Sequence, residues 1–198
     1  MPPIRLLGKQ IGFALPEGHA TMEQIFLEME KLLEEGADLY PLIFANNGSK
    51  QERSLLEKKL FALTGKEMAT TSLEEDGCHL HYDTFDLMVI APCPGNILMK
   101  ILDVTSNPAA MVKALTHLQT ERPIVLALVA NGNSGDLVAH IEQLLALKGI
   151  YFVPFGSVRH QSKQFIVTRM ELIKETVVQA LMQKQIQPVI FEHHWFPS

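Results

Sequence analysis

Cysteine is scarce in this sequence, with Cys78 and Cys93 as the two thiols among 198 residues. Two thiols cannot build a disulfide framework or a four-thiolate metal site, and such low usage is typical of a reducing cytosol. Apolar runs of the roughly 20 residues that a membrane-spanning helix needs are also missing. The amino end has neither the apolar stretch nor the cleavage site of a secretory signal. The sequence therefore predicts a soluble cytoplasmic protein.

A surplus of positive charge is missing as well, since 17 Lys+Arg face 22 Asp+Glu and the net charge is −5. This balance argues against a general nucleic-acid binder, which needs a basic face to neutralise phosphates. A local basic surplus between Arg159 and Lys184 favours a solvated face over a polyanion site. With 47% hydrophobic residues, the chain is expected to fold as one domain over 1–198, with peripheral tails at 1–8 and 192–198.

Short apolar runs without alternation mark the predicted strands. Such runs are typical of parallel strands buried on both faces by helices. A further candidate, Leu39–Phe44, contains Pro41, which predicts an edge strand or an irregularity because proline lacks the ladder donor. The four clear runs are Ile11–Leu15, Leu87–Ala91, Ile124–Val129 and Ile150–Val153.

Helical periodicity fills the intervals between these runs. The clearest helix spans Met22–Leu33, with a capping box from Thr21 to Gln24 and a left-handed stop at Gly36. The segment 65–84 stays unassigned. Strands alternating with helices predict a three-layer α/β domain with a mainly parallel sheet. Further helices are predicted after Asn107-Pro108, after Ser134 with closure at Gly149, and around Ile173, Val177, Val178 and Leu181.

Ligands of such sheets bind at the carboxyl ends of the strands, where the strand order reverses. The first loop there, Pro16–Ala20, leads into the best-defined helix, whose free amides could hold a phosphate, although Glu17 opposes an anion. It is neither a G-x-G-x-x-G nor a Walker A loop, and ordinary turn chemistry is an equal alternative. The other loops at this edge are Ala45–Ser49, Pro92–Asn96, Ala130–Gly135 and Pro154–Ser157.

The segment Ala91-Pro92-Cys93-Pro94-Gly95-Asn96 predicts a rigid turn after a buried strand, with an amide presented at the helix start. Neighbouring helix donors could lower the pKa of the Cys93 thiol, although packing in the core is the favoured interpretation. Lys100, one helical turn later, either points back to this turn or is solvated. Metal binding by Cys78, His79 and His81 is not expected, because nothing completes the ligand set.

Several of these segments resemble the flavin mononucleotide (FMN)-binding flavoproteins that include peptidyl-cysteine and phosphopantothenoylcysteine decarboxylases. The turn at Pro92 is similar to their Pro-Ala-Ser-Ala-Asn-Thr motif, and within the group the likeness is greatest to the family of dipicolinate synthase B subunits. The residues that carry it are Gly12-Phe13, His19, Thr21, Glu35-Gly36-Ala37, Met88-Val89-Ile90-Ala91-Pro92, Gly95-Asn96, Met99-Lys100, Arg122-Pro123, Phe152-Val153-Pro154-Phe155-Gly156, Ala180-Leu181-Met182 and Gln187-Pro188.

The resemblance implies a Rossmann-like or flavodoxin-like fold. It also implies that the chain acts with an A subunit to oxidise dihydrodipicolinate to dipicolinate in the mother cell of a spore-forming bacterium, as a homo-oligomer. NADP is expected on the A subunit, since this chain lacks a dinucleotide fingerprint. Candidate cofactor-binding residues are Gly18, His19, Ala20, Thr21, Ser49, Pro92, Cys93, Gly95, Asn96 and Asn131, with His19, Asn96 and Asn131 as catalytic candidates.

Two departures from the family pattern keep alternatives open. Pro16-Glu17-Gly18 replaces the usual Thr-Gly-Ser, which leaves phosphate alone as an alternative to FMN. Of the decarboxylases' Pro-x-Met-Asn segment only Asn131 remains, in Leu128-Val129-Ala130-Asn131, which disfavours a stand-alone FMN-dependent decarboxylase. A non-catalytic flavin- or phosphate-binding module that stabilises the A subunit is the other alternative.

Overall fold

The computed structural model describes residues 5–16, 22–44, 50–71, 85–106, 122–132, 135–160 and 163–191. In these ranges strands and helices alternate as predicted. The strands are β1 (Gln10–Pro16), β2 (Asp38–Phe44), β3 (Ala69–Thr71), β4 (Leu87–Pro94), β5 (Ile124–Gly132), β6 (Ile150–Phe152), β7 (Phe155–His160), β8 (Lys163–Thr168) and β9 (Ile190–Phe191). The helices are α1 (Met22–Glu34), α2 (Lys50–Thr64), α3 (Gly95–Ser106), α4 (Gly135–Leu145) and α5 (Ile173–Leu181), the last preceded by a 3-10 turn at Met170–Leu172.

The central part of the sheet is parallel and has the order β3-β2-β1-β4-β5, with β6 beside the first half of β5. From β1 the chain moves outward to β2 and β3, and then returns to β4 on the other side of β1. The strand order therefore reverses between β1 and β4. In open α/β sheets this switch point marks the edge where ligands bind, at the carboxyl ends of the two strands.

Helices bury both faces of this parallel sheet, which explains the continuous apolar runs. In β5, for example, Val125 and Ala127 face the core shared with α1 and α5, whereas Leu126 and Leu128 face the core shared with α3 and α4. All four clear strand predictions are confirmed by β1, β4, β5 and β6. Their apolar runs are uninterrupted because both faces of each strand are buried. The mainly parallel three-layer α/β fold is confirmed with them.

Helix α1 begins at Met22 as predicted, extends to Glu34, one residue beyond the predicted Leu33, and is closed by Gly36 as predicted. Gly36 has φ of 87°, the left-handed conformation that closes a helix. The Ala37 N–H donates to the Leu32 carbonyl at 3.1 Å, and the Gly36 N–H donates to the Leu33 carbonyl at 2.9 Å. These bonds form a Schellman motif. Thr21, the predicted cap of this helix, lies outside the described residues.

Hydrogen bonds and ion pairs of polar side chains connect α1 with α5, which cover the same face of the sheet. Glu28 is fully buried, and its carboxylate accepts from the Lys174 N–H at 3.0 Å and from Lys31 Nζ at 2.5 Å. Glu35 accepts from the side chains of Arg5 at 3.2 Å and Lys174 at 3.3 Å. Hydrogen bonds to Arg5, with Lys174 beside them, lower the pKa of Glu35 to about 2. In the segment predicted to be a tail, Leu6 is buried against this region.

The prediction of an edge or irregular strand at Pro41 is wrong. Strand β2 lies between β1 and β3, and its register with β1 is unbroken from Asp38 to Phe44. The Asp38 N–H donates to Lys9 on the β1 side, so by alternation the position of Pro41 faces away from β1. Pairing with β3 begins at Leu42. The missing N–H of Pro41 therefore removes no sheet hydrogen bond.

Three other expectations have different outcomes. The helices predicted after Ser134 and around Ile173 are confirmed, although α4 ends at Leu145, before the left-handed Gly149. The unassigned segment 65–84 contributes β3, whereas the helix expected after Asn107-Pro108 lies outside the described ranges. The elements α2, β7, β8 and β9 are not predicted from the sequence pattern.

Candidate functional site

The carboxyl ends of β1 and β4 lie next to each other at the switch point. The two strands pair in parallel from Ile11 with Leu87 to Ala14 with Ile90. The ends of β1 and β4 therefore lie at the same edge of the sheet. The expectation of a loop at Pro92–Asn96 is wrong, because Pro92–Pro94 continue β4 and Gly95 already begins α3. Residues 17–21 of the first loop are not among those that the structure describes, so the site is built here from β4, α3 and β5.

A β-bulge interrupts β4 just before its end. Ile90 pairs with Leu126 and Cys93 pairs with Leu128, so Ala91 and Pro92 together oppose the single residue Ala127. Side chains three residues apart on a regular strand face opposite sides. Because of the bulge, Ile90 and Cys93 instead face the same core, which is shared with α3 and α4.

The bulge therefore buries Cys93. Its side chain has 0% exposure, and burial raises the pKa of the thiol above its usual range. The idea that helix donors lower this pKa is wrong, and the packing interpretation is confirmed. Pro92 is buried too and follows a cis peptide bond. The thiol of Cys93 is consequently not available to contact a ligand at the strand ends.

Helix α3 starts immediately after β4, with no intervening loop. A Cβ added to Gly95 would meet no heavy atom within 4 Å, so the space beside the first helical residue is open. Asn96 is exposed, whereas Ile97 and Leu98 are buried. The first turn carries no acidic residue. Its amides lack acceptors within the helix and lie at the positive end of the helix dipole. This arrangement suits a carboxylate, a phosphate or the polar edge of a ring compound.

Strand β5 extends beyond its predicted end and changes partner on the side away from β4. Ile124–Leu126 pair in parallel with β6, whereas Ala130–Gly132 pair antiparallel with β8. Asn131 lies in this second half, opposite Phe165. The expectation of a loop at Ala130–Gly135 is therefore wrong for its first three residues, because the β7–β8 hairpin continues the sheet there.

Leu128 of β5 lies between the stretch that pairs with β6 and the stretch that pairs with β8. The Leu126 carbonyl accepts from Val153 N–H at 3.0 Å, and by alternation Leu128 directs its carbonyl to the same side. There β6 has ended and the pairing with β8 has not begun. The buried hydroxyl of Thr168 donates to this carbonyl at 2.6 Å. A side chain thus supplies a hydrogen bond to β5 at the fork in the sheet.

Comparison with known proteins identifies the family. No family model matches the chain. The chain is 32% identical over 196 residues to the B subunit of dipicolinate synthase from Bacillus subtilis strain 168, covering 96% of each protein. This chain belongs to the family of dipicolinate synthase B subunits. A crystal structure of the B subunit from Bacillus halodurans is 32% identical, with a TM-score of 0.75 over 96% of this chain and 99% of the other.

More distant structures share the fold. The cypemycin decarboxylase is 14% identical with a TM-score of 0.56, covering 89% of this chain and 94% of its own. An FMN-dependent cysteine decarboxylase is 17% identical with the same TM-score, covering 87% of this chain and 97% of its own. These likenesses confirm the fold expected from the resemblance to FMN-binding flavoproteins.

The structure brings together only part of the predicted site. Gly95, Asn96 and the backbone of Asn131 lie at the carboxyl edge of β4 and β5, and Pro92 and Cys93 lie beneath them in the sheet. The remaining candidates, Gly18, His19, Ala20, Thr21 and Ser49, lie outside the described residues, as do Cys78, His79 and His81. Within the described ranges, no group of three or more His, Cys, Asp or Glu residues could hold a metal ion, and no helix is long and apolar enough to cross a membrane.

Sequence reasoning missed Thr168 and the hairpin that carries it. The available signal was two short strands rich in apolar residues, Phe155–His160 and Lys163–Thr168, separated by two residues. Such a pattern is typical of a β-hairpin. An antiparallel addition to the end of a mainly parallel sheet does not follow from this local pattern alone.

Proposed function

We propose that this chain is the B subunit of a dipicolinate synthase. It acts with a separate A subunit to oxidise dihydrodipicolinate to dipicolinate during sporulation, in the cytoplasm of the mother cell. The observation that carries this proposal is the 32% identity to the Bacillus subtilis B subunit, which covers 96% of both chains. The crystal structure of the Bacillus halodurans protein supports it with a likeness over nearly the whole chain.

The reaction removes a hydride and a proton from the dihydropyridine ring, which becomes aromatic. We expect NADP on the A subunit to accept the hydride. Both substrate and product carry two carboxylates, and the open, unopposed amino end of α3 at Gly95 and Asn96 suits one of them. The role of this chain in the proposal is to bind and orient the diacid and to exclude water.

The residues at the edge also fit an FMN ring. Gly95 leaves open space where a side chain would block a planar group, and Asn96 presents an exposed amide. When bound, FMN would supply a two-electron carrier able to take the hydride from the ring and pass it to NADP on the A subunit. Asn96, the amides of α3 and the end of β5 at Asn131 would hold its ring, with Gly18 to Thr21 and Ser49 as candidates for its phosphate. Phosphate alone at that loop is the alternative.

The decisive experiment mixes the purified chain with a candidate A subunit, NADP and dihydrodipicolinate. Dipicolinate, followed by its ultraviolet absorbance, should form faster than with either chain alone. No gain over the separate chains contradicts the proposal. The visible spectrum of the purified chain, before and after adding FMN, separates a flavin site from a site for the diacid alone. Light scattering of the same sample tests the expected homo-oligomer.

A non-catalytic partner module is the second candidate. It is favoured by the residues from Pro92 to Ile97, which offer no accessible acid or base because the thiol of Cys93 is buried. In that case the chain should raise the thermal stability of the A subunit without changing its rate per folded molecule. A stand-alone decarboxylase would instead release carbon dioxide from a cysteine-derived acid without any partner.

A further inference from the structure

We propose that Thr168 is a positioning residue for the site, because its hydroxyl holds the end of β5 that carries Asn131. The inference rests on the proposed function, since the reaction rate is one of its readouts. Thr168 lies in β8 and does not touch the amino end of α3 in any hydrogen bond described. Its effect is transmitted through the backbone of β5 at Leu128, three residues before Asn131.

At the fork in the sheet, the Leu128 carbonyl accepts a hydrogen bond from this hydroxyl. The register of β5 with β8 pairs Ala130 with Ile166, and extending it by two residues places Thr168 opposite Leu128. The regular pairing of the two strands does not extend to that position, where the hydroxyl joins them with a bond of 2.6 Å. Both residues are buried, with exposures of 8% for Thr168 and 2% for Leu128. Water is therefore not available to replace the hydroxyl.

The same bond determines where β5 turns from one partner to the other. Strand β5 pairs with β6 as far as Leu126 and with β4 as far as Val129, and from Ala130 onward it pairs with β8. The three residues Ala130–Gly132 therefore depend on β8 for their position. If the hydroxyl is lost, β8 can shift relative to Leu128, and Asn131 shifts with it. Displacements of about 1 Å at a reacting site can reduce rates by roughly a hundredfold.

Two pairs of variants isolate the hydroxyl. Thr168→Val keeps the shape and removes the oxygen, whereas Thr168→Ser and Thr168→Ala both lack the methyl group and differ from each other by the oxygen alone. Thr176→Val is the matched control, since Thr176 is a buried threonine of α5 whose hydroxyl donates to the carbonyl of Leu172, four residues earlier, at 2.7 Å. The second pair keeps the test valid if Thr168→Val fails to fold.

Each variant is assayed with the A subunit for kcat and KM of dipicolinate formation, and by amide hydrogen exchange. We expect Thr168→Val and Thr168→Ala to lose roughly tenfold or more in kcat/KM, while Thr168→Ser and Thr176→Val stay near the wild type. Amide protection at Ala130–Gly132 should fall in Thr168→Val but remain at Ile124–Leu126. A general loss of stability would lower both regions together and would contradict the positioning role.

The outcomes separate this inference from the function on which it rests. If the wild-type chain and its partner form no dipicolinate, the proposed function and the inference both fail. If the wild type is active and Thr168→Val is equally active, the inference alone is overturned. Equal losses in Thr168→Ser and Thr168→Ala also overturn it, since those two variants differ only by the hydroxyl oxygen.

Discussion

Replacing Glu28 by alanine should destabilise the protein because this carboxylate joins two helices inside the core. One oxygen accepts from the backbone N–H of Lys174 at 3.0 Å, in the first turn of α5, where no acceptor exists within the helix. The other oxygen accepts from Lys31 at 2.5 Å. Glu28 therefore caps α5 from the side chain of a neighbouring helix, and its removal leaves that N–H without its partner.

The magnitude follows from the exposure of the two partners. Removing one member of a fully buried ion pair costs about 3–5 kcal/mol, because the other charge is left stranded. Lys31 is 44% exposed, so its ammonium turns to water and this larger penalty does not apply. What remains is one hydrogen bond to a charged group, worth about 1.5–3 kcal/mol. We therefore expect Glu28→Ala to lower the free energy of unfolding by about 2 kcal/mol.

Thermal and urea unfolding of the purified variants measure this loss. For a chain of this size, about 2 kcal/mol corresponds to roughly 4–8 °C in melting temperature. Glu28→Gln should lose less than Glu28→Ala, because its carbonyl still accepts from Lys174. Glu30→Ala is the control, since Glu30 is exposed on the same helix and should change stability by no more than about 0.5 kcal/mol. An equal, small effect of Glu28→Ala and Glu30→Ala would refute the capping role.

Three further predictions concern other parts of the fold. Asn96→Asp should stabilise α3 by roughly 0.3–1 kcal/mol through the helix dipole yet weaken dipicolinate binding about tenfold by repulsion, equivalent to about 1.4 kcal/mol; unchanged binding by calorimetry would contradict the anion site. Hydrogen bonds from Arg5 lower the pKa of Glu35 from its ordinary value of 4.5 to about 2. The ionised carboxylate therefore stabilises the fold fully above pH 4.5, and this contribution is lost as the pH falls toward 2. Melting curves of wild type and Glu35→Gln should therefore converge over that interval, and a constant difference would contradict this. Gln185 bonds the Phe152 N–H at 2.7 Å and its carbonyl at 2.8 Å, so Gln185→Ala should cost about 2 kcal/mol in urea unfolding, with Gln185→Glu intermediate; no loss in either variant would refute the clamp.

The parallel core of this fold is predictable from sequence because burial imposes a simple pattern. Strands covered on both faces must be apolar at every position, as β1 and β5 are. Helix α1 is equally clear, since its buried face repeats with the helical period and Gly36 marks its end. The outcome at Pro41 depends on which side of β2 its backbone nitrogen faces, and composition alone does not encode that direction.

Helix α2 and strands β7 and β8 are not predictable from sequence, because their burial or pairing does not impose a simple apolar pattern. Among the described side chains of α2, Leu60 alone is fully buried, whereas Leu55 and Phe61 are exposed, so its apolar residues do not define a single face. Strands β7 and β8 form the antiparallel end of a sheet that is parallel elsewhere. Their pairing depends on contacts with β5 that are distant in sequence, and local periodicity carries no information about them.

The position of Cys93 illustrates how one extra residue decides the chemistry of a strand end. Without the bulge, alternation from Ile90 would place the thiol on the opposite face of the sheet; with it, the thiol is buried in the core and its pKa is raised. The amide of Asn96 and the backbone of α3 remain exposed at this edge, and neither acts as an acid or a base near neutral pH. We therefore expect the proton lost from the dihydropyridine to pass to a group outside the described residues, such as His19 of the first loop, to a bound cofactor or to the A subunit. Replacing His19 by Gln in the assembled synthase distinguishes the first route, because it would remove a pH-dependent limb of kcat that the other two routes leave in place.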